Sequence, residues 1–188
     1  MKNKSVPITK RKLFLLSAGE GVIAIGILYA IVAVIVSVAA TTHDAAPKDF
    51  LIGMLLIFAT FLCIALVLSY YAIASLLFLN KMEKQLSVDF SRDMAGLKIT
   101  RAGVYSDAQW YIAVSGVYLH VLHKDCLNPY APPEVKMTRD QWRFVVRVTL
   151  ENGKTCKMFF LSFDTKAVRA FVDWHKSIRE QAQTSYTN

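Results

Sequence analysis

Charge is what the first part of this sequence has least of. Between Leu13 and Leu79 the ionised side chains are Glu20, Asp44, Lys48 and Asp49 alone, and so bare a stretch excludes an ordinary soluble domain there. Cysteine is scarce too: Cys63, Cys126 and Cys156 are an odd, widely spaced set, which excludes a disulfide framework. The sequence lacks a glycine-rich phosphate loop, GxSxG, HExxH and CxxC, so it offers none of the local signatures of nucleotide, acyl-transfer, zinc-protease or dithiol chemistry. Acidic residues are outnumbered, 14 against 22 Lys and Arg, for a net charge of +8. Beside long apolar runs, that excess is read as cytoplasmic flanks facing anionic lipid. No cofactor and no nucleic-acid partner are expected.

What is present is two long apolar runs. Residues 13–41 and 50–79 each exceed the ~20 residues needed to cross a bilayer, and the link between them, residues 42–49, contains Pro47. So short a link predicts an antiparallel transmembrane hairpin. A cleaved signal would have an apolar region of only ~7–15 residues. Lys2, Lys4, Lys10, Arg11 and Lys12 precede the first run, and Lys81 and Lys84 follow the second, which puts both termini in the cytoplasm and leaves Cys126 and Cys156 as reduced thiols. Glu20 then falls at the inner interface as a hydrated carboxylate. The overhang around it matches the one after Tyr70 and Tyr71, and the two are expected to pack as a stalk or lie on the membrane. Gly26, Ala30, Ala33, Ser37 and Ala40 recur on one stripe. They predict a helix-packing seam whose first partner is the second span, with self-association as the alternative.

Beyond residue 80 the pattern changes. Met82, Leu86 and Phe90 recur at helical spacing in a linker helix expected to end near Gly96. Apolar and β-branched runs at 97–106, 109–114 and 116–122 predict strands, and the proline-broken stretch 123–138 predicts a loop. Residues 142–150 alternate Trp142, Phe144, Val146, Val148 and Leu150 on one face, and Asn152-Gly153 leads into a returning run at 155–162. That is a hairpin signature with both turn residues at positive φ. Residues 164–181, with Asp164 as cap and an apolar stripe through Phe171 and Ile178, predict an amphipathic helix. The expected division is a basic N-terminus (1–12), first span (13–41), loop (42–49), second span (50–79), linker helix (80–96), β-rich domain (97–182) and tail (183–188). The fold class is α+β: a two-helix transmembrane hairpin, then a small bent sheet of about five strands with a C-terminal helix.

Candidate sites are few. His120, His123, Asp125 and Cys126 carry donor atoms, but residues 120 and 123 point to opposite faces of a strand, so no metal is assigned. Trp142 and Trp174 are read as core anchors. Lys166, Arg169, Lys176 and Arg179 line the outer face of the last helix, a solvated face or a contact for lipid headgroups. The loop formed by Asn128, Pro129, Tyr130, Pro132 and Pro133 is an exposed, stiff, aromatic segment of the kind that binds partners.

The opening strand KITRAGVYSD, the Asn152-Gly153 hairpin and FFLSFDTKAVRAFVDWHKSI resemble the YcxB-like and related bacterial PH-like proteins over about 90 residues. The resemblance implies a transmembrane hairpin in a bacterial inner membrane, a cytoplasmic PH-like barrel closed by a helix, and no catalytic residues. It points to a binding or scaffold protein, expected to recognise another protein or a lipid headgroup. An entry-exclusion protein of a conjugative plasmid shares the same small inner-membrane layout. A lipid-modifying enzyme would have only Glu20, Tyr70 and Tyr71 to work with.

Overall fold

The computed structural model describes residues 5–42, 47–100 and 103–186. The expected loop tip at 43–46, the end of the tail, and the side chains of Glu20 and Ala40 lie outside the described residues.

The first helical rod has three parts: α1 (Lys10–Phe14), a π-helical turn (Leu15–Gly19) and α2 (Glu20–Thr42). Thr9 caps it, its hydroxyl accepting from the Lys12 N–H at 3.2 Å. It packs antiparallel on α3 (Pro47–Leu86), because Tyr29 lies against Phe58 and Phe61 with ring centroids 5.6 and 5.8 Å apart, while Lys10 meets Glu83. The inward stripe of α2 is Val22, Ile25, Tyr29, Val32 and Val36, all half-buried. Of the expected small-residue seam, Ala33 and Ser37 lie half-buried at its margin, and Gly26 and Ala30 face outward. Tyr29 packs its ring on Phe58 and Phe61 from that inward stripe, so an aromatic and branched stripe rather than the small-residue one faces α3.

Among the described residues one helix, Phe50–Leu86, is long and apolar enough to cross a membrane. The described apolar stretch of the first helix, Ile25–Ala39, is about 22 Å long at 1.5 Å per residue, short of a ~30 Å hydrocarbon core. The structure thus supplies one candidate span where two were expected.

The rest is a mixed array of helix and antiparallel sheet. Strand β1 (Ser5–Pro7) pairs with β2 (Lys98–Thr100), Val6 opposite Ile99. Strands β3 (Val104–Ser106), β4 (Trp110–Ser115) and β5 (Tyr118–His123) form one meander, and β6 (Glu134–Met137), β7 (Arg143–Thr149) and β8 (Thr155–Leu161) a second. Helix α4 (Phe90–Asp93) precedes the sheets and α5 (Thr165–Tyr186) follows them. Three expectations are corrected here. The N-terminus carries a strand. The linker helix is interrupted where Ser87 takes φ +54° and Asp89 caps a new turn by accepting from Ser91 and Arg92. The region 123–138 includes a 3-10 turn (Lys124–Cys126) and strand β6.

Two cores share the first sheet. All six residues of β4 are buried. On one face Tyr111, Ala113 and Leu122 pack with Val146, Val148, Phe160 and the α5 residues Phe171, Trp174 and Ile178. On the other, Trp110, Ile112, Val114, Leu119 and Val121 pack with Leu13 of α1, Leu79 and Met82 of α3, and Phe90. The two overhangs therefore form a stalk, and the stalk is half of a core. Trp174 is a core anchor as expected, with its indole N–H donating to the Asp107 carbonyl at 2.7 Å. Trp142 is not: it precedes β7 and is 72% exposed.

Two glycines fix the hairpins. Gly116, at φ +58°, starts the two-residue β4–β5 turn, where a Cβ would meet Leu161 at 2.7 Å. Gly153 has φ +75°, but Asn152 is not at positive φ. The Gly153 N–H donates to Leu150 O at 2.9 Å and the Leu150 N–H to Lys154 O at 2.8 Å. This is a three-residue loop closed by a glycine bulge rather than the expected two-residue turn. Gly153→Val is predicted to cost about 1 kcal/mol or more from the left-handed backbone alone, since open space surrounds the position. The thermal midpoint of the detergent-solubilised full chain should fall by about 2–4 °C; an unchanged midpoint would refute the assignment.

Candidate functional site

The two meanders do not close into a continuous sheet. Their edge strands, β5 and β8, face each other across a gap covered by α3, and side chains bridge what the backbones do not. The His120 ring meets the Phe159 carbonyl at 2.8 Å, the Ser75 hydroxyl donates to Leu119 O at 2.5 Å, and the Leu161 N–H donates to Ser115 Oγ at 2.8 Å. Ser115 in turn donates to the Asp164 carboxylate at 2.5 Å, so the residue at the N-cap position of α5, whose carbonyl accepts from Ala167 and Val168, also holds this hydroxyl. What remains open is a mainly apolar groove of about 230 Å³ lined by Tyr71, Ser75, Phe78, Tyr118, His120 and Phe159, among others.

The rim of the groove is aromatic and cationic. Tyr71 stands edge-on to Tyr118 at 4.9 Å, and the Tyr118 hydroxyl accepts from Arg143 Nη1 at 3.2 Å. The Arg143 guanidinium lies 6.0 Å over the Phe159 ring and 3.8 Å from Asp140. Tyr118 chiefly, then Asp140, hold Arg143 above its usual range, so it is a fixed cation. Of the groups available to an enzymatic reading, Tyr71 is engaged in holding the domain to α3, and Tyr70 stands exposed beside it.

The imidazole and thiol groups do not converge. Burial pushes His120 down to about 4, against the Phe159 carbonyl that pulls it up. His123 is buried on the opposite face against Trp110, centroids 4.7 Å apart, and burial lowers it too. The Cys126 thiol donates to the His123 carbonyl at 2.8 Å and burial pushes it up to about 12. Among the described residues no three His, Cys, Asp or Glu side chains are placed to hold a metal ion.

The proline loop lies at the other end of the domain, where Leu127 bridges Leu150. The Asn128 N–H donates to Thr149 O at 3.0 Å, the Ala131 N–H to Asn128 O at 3.3 Å, and the Tyr130 N–H to Asn128 Oδ1 at 3.0 Å. His175 of α5 is buried nearby, and the Asn128 backbone pulls its pKa up against the larger lowering by burial. On this pinned base Tyr130 is 52% exposed, next to an open hollow of about 610 Å³ lined by Pro129, Lys124, Glu151, Ile178 and Gln181, among others. Lys166, Arg169, Lys176 and Arg179 are all exposed on α5, but they spread over about 20 Å of helix, and Lys176 pairs with Glu180 at 3.9 Å.

The histidines give the fold a pH signature. His120 stays neutral to about pH 4 in the folded chain, against about 6.5 when unfolded. Its contribution is full above pH ~6.5 and is lost as pH falls from there toward 4. His123 and His175, both lowered by burial, act in the same direction. The denaturant midpoint of the full chain in detergent should drop between pH 7 and 4.5. His120→Gln, which keeps a donor toward Phe159, should flatten that drop; an identical slope would assign it to the other two. No family model matches the chain, and no curated protein or solved structure matches it.

Proposed function

We propose that this chain is a non-enzymatic protein of a bacterial inner membrane, crossing it twice with both termini in the cytoplasm, whose PH-like β domain binds another protein through the loop Asn128–Pro133. The double crossing draws support from the pairing of β1 with β2. Residues 5–7 and 98–100 must lie on the same side of any membrane between them, so the intervening chain crosses an even number of times. With α3 as one crossing, the first helix is the apolar segment available for the other. The Lys and Arg bias gives the side.

The observation that carries the binding reading is the pinned, projecting Tyr130. A loop ordered by its own hydrogen bonds before a partner arrives loses little entropy when it binds, and this one stands at the end of the domain remote from Tyr71. The cation-rimmed groove near Tyr71 is the counterpart observation for contact with lipid.

Two outcomes test the proposal. A reporter active only outside the cytoplasm should be silent when fused at Asn188 and active when inserted at Ala46; activity at Asn188 would overturn the topology. Tyr130→Ala combined with Pro132→Gly and Pro133→Ser should leave the circular dichroism of the full chain unchanged and reduce crosslinking to its membrane-borne partners several-fold. Equal yields from parent and variant would make the loop a connector.

A further inference from the structure

We infer that the tip of the β domain formed by Trp142 and Phe163 docks into the cytoplasmic leaflet of the same membrane that α3 crosses, giving the domain an attachment besides its helices. This rests on the reading of α3 as a membrane span. Trp142 and Phe163 are the two most exposed aromatic side chains among the described residues, at 72% and 75%. They sit at one end of the second meander, where the Ser162 N–H donates to the Trp142 carbonyl at 2.9 Å. Met137, 48% exposed, is opposite Phe144 in the same register. Exposed apolar side chains gathered in this way mark a contact surface.

Their height along α3 identifies the occupant. About twenty residues of helix cross the hydrocarbon core, so a span starting at Phe50 leaves it near Tyr70 and Tyr71. Tyr71 packs on Tyr118, and Tyr118 bonds Arg143, the neighbour of Trp142. From that point β5 runs down the stalk, with Leu119 at Ser75, away from the bilayer. The Trp142–Phe163 tip thus stands level with the tyrosine pair, at the depth where tryptophan and tyrosine partition into the headgroup layer.

The surrounding charge suits an anionic leaflet. Arg139, Arg143 and Lys166 each lie within three residues of Trp142 or Phe163 in the sequence. The nearby acids are each engaged: Asp140 with Arg143 and the Thr138 hydroxyl, Glu134 with Lys136 and Arg147, and Asp164 with Ser115. Of the four exposed cations of α5, Lys166 in its first turn is the one near this level. A second copy or a partner protein would also cover apolar surface, but neither explains why the patch shares the height of Tyr70 and Tyr71.

The test uses the full chain in phosphatidylcholine–phosphatidylglycerol vesicles, with bromine on the acyl chains as a tryptophan quencher. Trp110 and Trp174 are buried, so Trp142 should supply the quenched part of the emission. Expected are quenching in the parent, its loss in Trp142→Phe, and weaker, red-shifted quenching in Phe163→Asp. Equal quenching in parent and Trp142→Phe overturns the inference. So does an unquenched Trp142, whether open to aqueous iodide or shielded from it, the shielded case assigning the tip to a protein contact. Alkaline carbonate extraction separates the two readings: a chain that stays with the vesicles yet shows no Trp142 quenching refutes the tip alone, and a chain that washes off refutes the span beneath it.

Discussion

The outer face of the β3–β4–β5 meander is covered by the lower end of α3, and the rest of the structure is arranged around that contact. Ile112, Val114, Leu119 and Val121 would face water if the stalk were removed, and Leu13, Leu79, Met82 and Phe90 bury them instead. A large aliphatic side chain gains about 1.5–3 kcal/mol on full burial, so the stalk is a structural layer of the domain. With α5 and the second meander on the opposite face, the first sheet is the middle of a three-layer stack.

Polar contacts fix how the layers sit. Glu83 is the hub at the stalk's base: one carboxylate oxygen pairs with Lys10 at 2.5 Å and the other accepts from the Phe90 N–H at 3.1 Å. It thereby ties α1 and α4 to α3. At the other end Ser115 joins β4, β8 and the start of α5. Apolar contact alone would allow the layers to slide; these directional bonds set one register.

Much of this arrangement was legible in the sequence, and the reasons for the exceptions are physical. Val146 and Val148 alternate with exposed Arg147, and the helical stripe through Phe171 and Ile178 is amphipathic, so both elements follow from period alone. The run from Trp110 to Val114 has no polar alternation, which is the mark of a strand buried on both sides, yet nothing local names the stalk as the covering layer. Strand β1 is three residues long and its partner is over ninety positions away, beyond the reach of any window. Trp142 continues the alternation of β7 by one step, but Arg139, Asp140 and Gln141 before it are turn residues, and Gln141 at φ +58° redirects the chain. The Asn152-Gly153 pair located the hairpin correctly and misjudged its loop, because a glycine bulge satisfies the same flanking strands. The Asn128–Pro133 loop was recognisable from its prolines, whereas the groove between β5 and β8 is made by three distant segments and leaves no local signature.

The β1–β2 pair also constrains how the protein is made. Residues 5–7 leave the ribosome before their partners at 98–100, which follow only after both long helices have been synthesised, about 5–20 s later at ordinary elongation rates. During that interval the N-terminal segment is an unpaired edge, and the π-helical turn with its buried Ser17, Ala18 and Gly19 has no sheet to pack against. In the sequence, the basic residues Lys2, Lys4, Lys10, Arg11 and Lys12 flank residues 5–7 on both sides. Their mutual repulsion is well suited to keep nascent chains from pairing edge to edge until the rest of the domain arrives.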